Sequence, residues 1–278
     1  MKYTQRLYLV LCFSFFSSCQ KEDLPVSFLD TFSVQDKVGD EFSKIHFGNS
    51  IDLDKAIAAS INSENRDKSV GVFGGSLSSC WESLYAKYFW CCYLNMRVFT
   101  YGLGGYGFSS LQGGIQDQVR NAKKHDIYIL WASTNDYTNS REIGTHTDYT
   151  QTDGYDKSKL VTQCGGMNFC IKHLREINPK AQIFIFGSLP FFAYEGGYLR
   201  ESSFKNELDY TFYEYIDAQN KVAEYQGVKF FNQFDIPVLT VEHSADYYKE
   251  DKYHMTQTGY ANVGVYQLYF LSKEKELK

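Results

Sequence analysis

The chain has 278 residues, of which 44% are hydrophobic and 22% charged, a balance that predicts a folded core and excludes an intrinsically disordered protein. Its formal net charge is −5 and its pI is near 5.7, so it has no basic surface typical of a nucleic-acid partner.

The first segment in chain order has the layout of an export signal. Lys2 and Arg6 precede an apolar run of about ten residues, whereas a helix needs about 20 to span a bilayer. Small residues follow, and the stretch Phe16-Ser17-Ser18-Cys19 resembles a bacterial lipobox, in which cleavage precedes a cysteine that is then lipidated. We therefore expect a signal peptide over residues 1–18 and a lipid on Cys19. An ordinary signal peptide with a chance cysteine is the alternative.

The four residues that follow Cys19 indicate where in the cell the protein is located. Gln20-Lys21-Glu22-Asp23 resembles the short signal that sends some Gram-negative lipoproteins to the outer face of the outer membrane. Loss of residues 1–18 removes two basic and no acidic residues, which changes the net charge from −5 to −7. The mature protein is expected to be an acidic domain, anchored by lipid to the outer membrane at the cell surface.

Residues 19–68 are predicted to form a tether and an N-terminal stem with a short helix around Leu53–Ile61, and residues 69–278 a single domain. Apolar, β-branched runs predict strands that are buried on both faces. These runs are Ser69–Gly74, Arg97–Tyr101, Asp126–Ser133, Ala181–Ser188 and Val228–Phe231. Helices are predicted at Cys80–Tyr93, Ser109–Lys123, Lys157–Ile177, Ser203–Gln226 and Thr258–Lys273. The alternation predicts an α/β fold: a five-stranded, doubly wound parallel sheet between two layers of helices.

Five cysteines remain once Cys12 leaves with the signal and Cys19 is lipidated: Cys80, Cys91, Cys92, Cys164 and Cys170. Export permits disulfides, and Cys164 with Cys170 is the favoured close pair. Their spacing matches no zinc motif, so we expect packing residues or one structural bridge rather than catalysts.

In a doubly wound sheet, ligands bind beyond the carboxyl ends of the strands, so the loops there are the first to consider. After the first strand, Gly74-Gly75-Ser76 exposes a hydroxyl at the start of a helix, although a serine there is also a common helix N-cap. After the second, the glycine-rich loop over residues 102–107 could bring backbone N–H groups to a ligand, cradle a phosphate or form a flexible turn. The Walker lysine and the acidic ribose partner are absent, which disfavours nucleotide binding.

Two further loops carry polar groups. After the third strand, Asn135 offers an N–H donor where an oxyanion could form, or else makes an Asx turn. Near the C-terminus, Asp251 and His254 are spaced so that the carboxylate can orient the imidazole. The other histidines lack such company and are assigned structural roles: His46, His125, His146, His173 and His243.

Together these four blocks resemble those of the SGNH (GDSL-type) hydrolases over roughly residues 69–273, most specifically in the D-x-x-H-x-T-x-x-G-Y stretch that begins at Asp251. The resemblance implies a flavodoxin-like sheet, a Ser76–His254–Asp251 triad, and an oxyanion hole formed by Ser76, Gly105 and Asn135, with no metal or organic cofactor. One position departs from the family pattern, since Gly75 stands where the family usually has Asp. A G-x-S-x-G hydrolase is disfavoured because Ser78 occupies the position of its second glycine.

The expected function is therefore a serine esterase acting on small acyl esters, with acetyl esters of extracellular carbohydrate as the preferred substrate class. The aromatic insertions Tyr137–Asp156 (with Tyr149 and Tyr155) and Phe191–Ser203 (with Phe192, Tyr194 and Tyr198) either stack on sugars or are solvated loops. The alternatives are a lipase or thioesterase of the same family, an acyltransferase that uses the same residues, and a glycan-binding lipoprotein that has lost activity.

Overall fold

The computed structural model describes residues 53–191, 204–240 and 244–274. The predicted signal peptide, Cys19 and the segment Gln20–Asp23 lie outside these residues, as do His46, His243 and Phe192–Ser203.

The apolar runs form one sheet of five parallel strands within the described residues. The strands are β1 (Ser69–Gly74), β2 (Arg97–Thr100), β3 (Ile127–Trp131), β4 (Gln182–Phe186) and β5 (Lys229–Phe231). Their order is β2-β1-β3-β4-β5, and each neighbouring pair is parallel. This order is that of the flavodoxin-like doubly wound sheets, so the predicted fold class is confirmed.

Helices cover both faces of this sheet. The described chain contains α1 (Leu53–Ser60), α2 (Ser76–Ser79), α3 (Leu84–Leu94), α4 (Ile115–Arg120), α5 (Asn135–Thr138), α6 (Gln163–Ile177), α7 (Phe212–Gln226), α8 (Ser244–Tyr247) and α9 (Gln257–Lys273). Helices α1, α3 and α9 pack on one face, and α4, α6 and α7 on the other. None of these helices has both the length and the apolar character needed to cross a bilayer.

The central strand β3 shows why the strands are apolar throughout. Its five side chains are fully buried and alternate between the two cores. Ile129 and Trp131 face the core beneath α3 and α9, whereas Tyr128 and Leu130 face the core beneath α6 and α7. A strand covered on both sides needs no polar face, so its sequence is a continuous apolar run.

Several helices begin later than the sequence predicts, because polar caps fix their first turns. Helix α6 starts at Gln163, where the Thr162 hydroxyl accepts the Gly165 N–H at 3.0 Å, and the preceding turn Lys157–Val161 is a 3-10 helix. Helix α7 starts after Thr211, which forms a capping box with Glu214. The predicted helix near Leu53 is present as α1, and its Ala56 is fully buried in the core beneath α9.

The favoured disulfide between Cys164 and Cys170 is wrong. Both thiols are free and buried in the core beneath α6. Positions six apart on a helix are separated by about 9 Å along its axis, which exceeds the reach of a disulfide. Burial raises the pKa of Cys164 to about 12, so this thiol stays protonated at neutral pH and acts as a packing residue.

Candidate active site

Ser76 is the first residue of α2, immediately beyond the carboxyl end of β1. The turn is closed by the carbonyl of Gly75, which accepts hydrogen bonds from the Ser78 N–H at 3.0 Å and the Ser78 hydroxyl at 2.9 Å. The first N–H groups of a helix have no acceptor within the helix, so the N–H of Ser76 is available to a ligand beside its own hydroxyl.

Ser76, His254 and Asp251 form one hydrogen-bonded chain. The His254 Nε2 lies 2.9 Å from the Ser76 Oγ, and its Nδ1 lies 2.7 Å from the Asp251 Oδ2. A proton on Nδ1, directed at the carboxylate, leaves Nε2 as the acceptor for the serine hydroxyl. The structure thus brings Ser76 and His254 together although 178 positions separate them in the chain.

The carboxylate of Asp251 is oriented by backbone groups as well as by the imidazole. Its Oδ1 accepts the N–H groups of Tyr253 and His254, each at 2.9 Å. Partial burial acts to raise the pKa of Asp251, but the bonds from the His254 backbone and ring and from Tyr253 outweigh it, so the pKa lies below its ordinary value. The group is thus ionised at neutral pH and can stabilise a positive charge on His254.

The remainder of the C-terminal motif ties the histidine to the serine helix. The Thr256 hydroxyl accepts the Gly259 N–H at 3.1 Å and caps α9. Gly259 packs so closely that an added Cβ would lie 2.3 Å from the carbonyl oxygen of Tyr247. The buried Tyr260 donates its hydroxyl to the carbonyl of Leu77, next to Ser76, at 2.9 Å. The motif is therefore structural beyond its Asp and His.

Asn135 and the Gly105 loop meet beside the serine. One N–H of the Asn135 amide donates to the carbonyl of Tyr106 at 3.0 Å, which leaves its second N–H for a ligand. Gly105 has a φ of +86°, a conformation that favours glycine, and a Cβ added to the neighbouring Gly104 would lie 3.5 Å from that of Ser76. The predicted oxyanion donors thus come from loops that adjoin the nucleophile.

Asp136 was missed by the sequence analysis. Its carboxylate is 1% exposed and accepts the Phe108 N–H at 2.8 Å, the Ser109 N–H at 3.1 Å and the Ser109 hydroxyl at 2.6 Å. Burial raises its pKa, against the opposing effect of these bonds and of the Arg141 charge. The glycine-rich loop, considered as a cradle for a phosphate, in fact encloses a carboxylate of the protein itself.

A cavity of about 170 Å³ opens over the serine. It is lined by Ser76, Leu77, Thr134, Asn135, Thr138, Tyr253 and His254. The Tyr253 ring is held by stacking on the buried Phe191, with ring centroids 4.9 Å apart. A larger cavity of about 290 Å³ lies between α7 and β5 and contains none of the predicted site residues, so size alone does not mark this site.

The aromatic insertions contribute less than the sequence allowed. Tyr149 and Tyr155 pack against each other, and Tyr149 also packs against Phe169 of α6, with ring centroids 5.7 Å apart in both pairs. Neither lines the cavity over Ser76. From the second insertion Phe191 supports the cavity wall, while Phe192, Tyr194 and Tyr198 lie outside the described residues.

The fold is a doubly wound α/β sheet that carries a hydrogen-bonded Ser-His-Asp chain at its carboxyl edge. Residues 71–261 match the family model of the GDSL-like lipase/acylhydrolase family, and the chain belongs to that family. No curated protein matches this sequence.

Solved structures share the fold at low identity. A possible lipase from Chitinophaga pinensis superimposes with a TM-score of 0.58 at 16% identity, covering 73% of this chain and 96% of that one. A protein from Lactobacillus plantarum superimposes with a TM-score of 0.61 at 15% identity, covering 76% of this chain and 99% of that one. At such identity the likeness extends to the fold alone.

Proposed function

We propose that this protein is a serine esterase that hydrolyses small acyl esters, acetyl esters above all, on extracellular carbohydrate. The observation that carries the proposal is the unbroken hydrogen-bonded chain Ser76–His254–Asp251 beside the free amide N–H of Asn135. Membership of the GDSL-like family supports an ester or acyl bond as the target.

In the proposed reaction, His254 Nε2 takes the proton of the Ser76 hydroxyl as the oxygen attacks the ester carbonyl. Asp251, ionised and directed at Nδ1, stabilises the imidazolium that results. The oxyanion is held by the N–H groups of Ser76 and Gly105 and the second amide N–H of Asn135. His254 then gives its proton to the leaving alcohol, and a water activated by the same nitrogen releases the acid from Ser76.

The cavity supports a small acyl group over a long chain. Sites for drug-sized ligands usually measure about 300–1,000 Å³, whereas the described residues around Ser76 enclose about 170 Å³. Leu77 and the supported ring of Tyr253 provide an apolar wall for a short acyl chain. This size favours a small-ester hydrolase over the lipase and long-chain thioesterase alternatives.

The carbohydrate part of the proposal follows from the expected location. A lipid on Cys19 would hold the enzyme on the outer membrane, where it would meet extracellular polysaccharides. The intact chain of three residues favours an active enzyme over a glycan-binding protein that has lost activity. Transfer of the acyl group to a sugar uses the same residues, and analysis of the products distinguishes it from hydrolysis.

Turnover of p-nitrophenyl acetate, butyrate and octanoate tests the proposal. Ser76→Ala and His254→Ala should each reduce kcat to background, a loss of about 10⁶ where similar triads have been dismantled. The control His173→Ala removes an imidazole on the surface of α6, paired with Glu176, and should leave kcat unchanged. Acetate should be cleaved faster than octanoate. Turnover that survives Ser76→Ala would refute the assignment.

A further inference from the structure

Consecutive residues of α5 hold the two halves of one loop. The carbonyl of Tyr106 accepts the amide of Asn135 at 3.0 Å and the hydroxyl of Ser133, two positions before the helix, at 3.1 Å. Asp136 binds the N–H groups two and three positions further along, at Phe108 and Ser109. The segment after Gly105 is therefore bound through its carbonyl on one side and its N–H groups on the other.

The loop can enclose the carboxylate only because position 107 is glycine. A Cβ on Gly107 would lie 2.3 Å from the Asp136 Oδ1, inside any real contact distance. Beyond the carboxylate, the Gln116 amide donates to the carbonyl of the fully buried Phe108 at 2.7 Å. The far half of the loop is thus anchored in the core. Asp136, which directly follows Asn135 in the chain, connects Asn135 to that anchored half.

We propose that Asp136 is a positioning residue that holds Gly105 and Asn135 in register as one preformed oxyanion hole. The inference rests on the proposed function, because it takes the oxyanion roles of these two residues as given. Asp136 touches no reacting atom and acts through the loop. Oxyanion donors are effective only when they are fixed before the charge develops, and a buried carboxylate with three donors supplies such fixation.

The test compares Asp136→Asn with Asp148→Asn in the full chain. Asp148 is a matched control, since its carboxylate is also buried and accepts bonds from Thr145 and Thr162 but does not contact the Gly105 loop. We expect Asp136→Asn to lower kcat on p-nitrophenyl acetate by about 10- to 100-fold with KM little changed, at or below the 10²–10³ for a lost oxyanion donor. Asp148→Asn should reduce stability but leave kcat unchanged.

Coupling to Asn135 separates positioning from general damage. If Asp136 acts through the oxyanion hole, Asp136→Asn should cost much less kcat in an Asn135→Ala background than in the native chain. Fully additive losses, or equal kcat losses in the Asp136 and Asp148 variants, would overturn the proposal. Should Asp136→Asn fail to fold, Ser109→Ala removes one of the three hydrogen bonds to the carboxylate, that of the hydroxyl, and should lower kcat in the same direction.

Hydrogen exchange provides a readout that needs no turnover. In Asp136→Asn the amides of Phe108 and Ser109 should exchange faster, while those of β3 and α9 keep their protection. Unchanged exchange at these two amides would overturn the anchoring role. A native protein without Ser76-dependent turnover would instead overturn the proposed function, and exchange alone would then decide whether Asp136 fixes the loop.

Discussion

Position 75 has no side chain because the oxyanion loops leave no room for one. A Cβ on Gly75 would lie 2.7 Å from the Ser133 Cβ, 2.9 Å from the Asn135 amide nitrogen and 3.1 Å from the Tyr106 carbonyl oxygen. The glycine that departs from the usual Asp of the family is therefore matched to its neighbours. Gly75 lets these neighbouring groups pack closely around it, and the absence of the usual Asp is therefore compatible with an active site.

Restoring the acidic residue should thus harm the enzyme. Gly75→Asp is expected to lower kcat at least tenfold, because the new side chain displaces the Asn135 amide, and Gly75→Ala should act in the same direction. Overpacking of this kind typically costs about 1–3 kcal/mol of stability as well. Steady-state kinetics and thermal unfolding measure the two effects.

Gly187→Ala serves as the control for overpacking. Its Cβ would crowd the ring of Phe230, with 2.7 Å to the Cζ atom, and its nearest atoms belong to none of the residues that line the cavity over Ser76. This variant should lose stability and keep kcat. A Gly75→Asp enzyme as active as the native one would contradict the packing argument.

At the residue scale, the sequence predicts groups that have a recognisable spacing and misses those that do not. Asp251 and His254 stand three apart, so their contact follows from the sequence. Asp136 binds backbone N–H groups more than 25 positions earlier, and any residue could supply those groups. The glycine-rich loop was the available signal, because it can bring backbone N–H groups to an acceptor, and the carboxylate of Asp136 accepts the two N–H groups that follow the loop.

Helix α3 carries a buried lysine that supports the serine helix. The Lys87 amine is 1% exposed and donates to the Ser78 carbonyl at 2.5 Å and the Ser83 hydroxyl at 3.1 Å. Burial lowers its pKa to about 8, although the nearby thiols of Cys80 and Cys91 act in the opposite direction. The last turn of α2 is thus capped by a group that titrates far below an ordinary lysine.

The lowered pKa of Lys87 should affect how the free energy of unfolding depends on pH. Between about pH 8 and 10.5 the unfolded chain binds more protons at this position than the folded one, so the contribution of Lys87 to the free energy of unfolding should rise with pH. At about 1.4 kcal/mol per pKa unit the rise is bounded by about 3 kcal/mol. Urea unfolding of the native protein and Lys87→Met across this range measures it.

In Lys87→Met this contribution should be absent, so the difference in free energy of unfolding between the native protein and the variant should change by up to that amount as the pH rises. Lys157→Met, at an exposed position of a 3-10 helix, should retain it. Parallel pH profiles for the native protein and Lys87→Met would contradict a depressed pKa for the buried amine.

Element ends were predicted less well than element types. Helix α4 spans Ile115–Arg120 rather than Ser109–Lys123, because residues 107–109 enclose Asp136 and Gly113 adopts a φ of +70°. The tertiary contact of Asp136 overrides local helix propensity in this segment. No pattern in the neighbouring sequence predicts such a contact, whereas the continuous apolar runs predict the buried strands.

The architecture of the whole molecule was predictable for that reason. Five apolar runs alternating with helical segments admit few arrangements, and the observed order β2-β1-β3-β4-β5 is the common one. The cavity walls were not predictable, since Tyr149 packs on α6 with Tyr155 against it, while Tyr253 and Phe191 meet from two separate loops. Aromatic residues serve cores and sites alike, and only contacts distinguish them.

The proposed lipid anchor is tested at Cys19. Cys19→Ala should abolish incorporation of labelled palmitate and remove the protein from the outer-membrane fraction, since burial of acyl chains contributes about 0.8 kcal/mol per methylene. Cys12→Ala, inside the predicted signal peptide, should retain both the label and the location. Lipid labelling that persists without Cys19 would refute the assignment of the anchor.

The bond between Tyr260 and Leu77 has a consequence for how the protein matures. It joins a helix near the end of the chain to the turn after the first strand, across 183 residues, and His254 reaches Ser76 only when that junction has formed. Under the proposed function, a polypeptide whose C-terminal helix has yet to be synthesised would lack the general base and be inactive. Esterase turnover would thus appear only after the C-terminal helix has docked, which makes activity a direct reporter of completed folding.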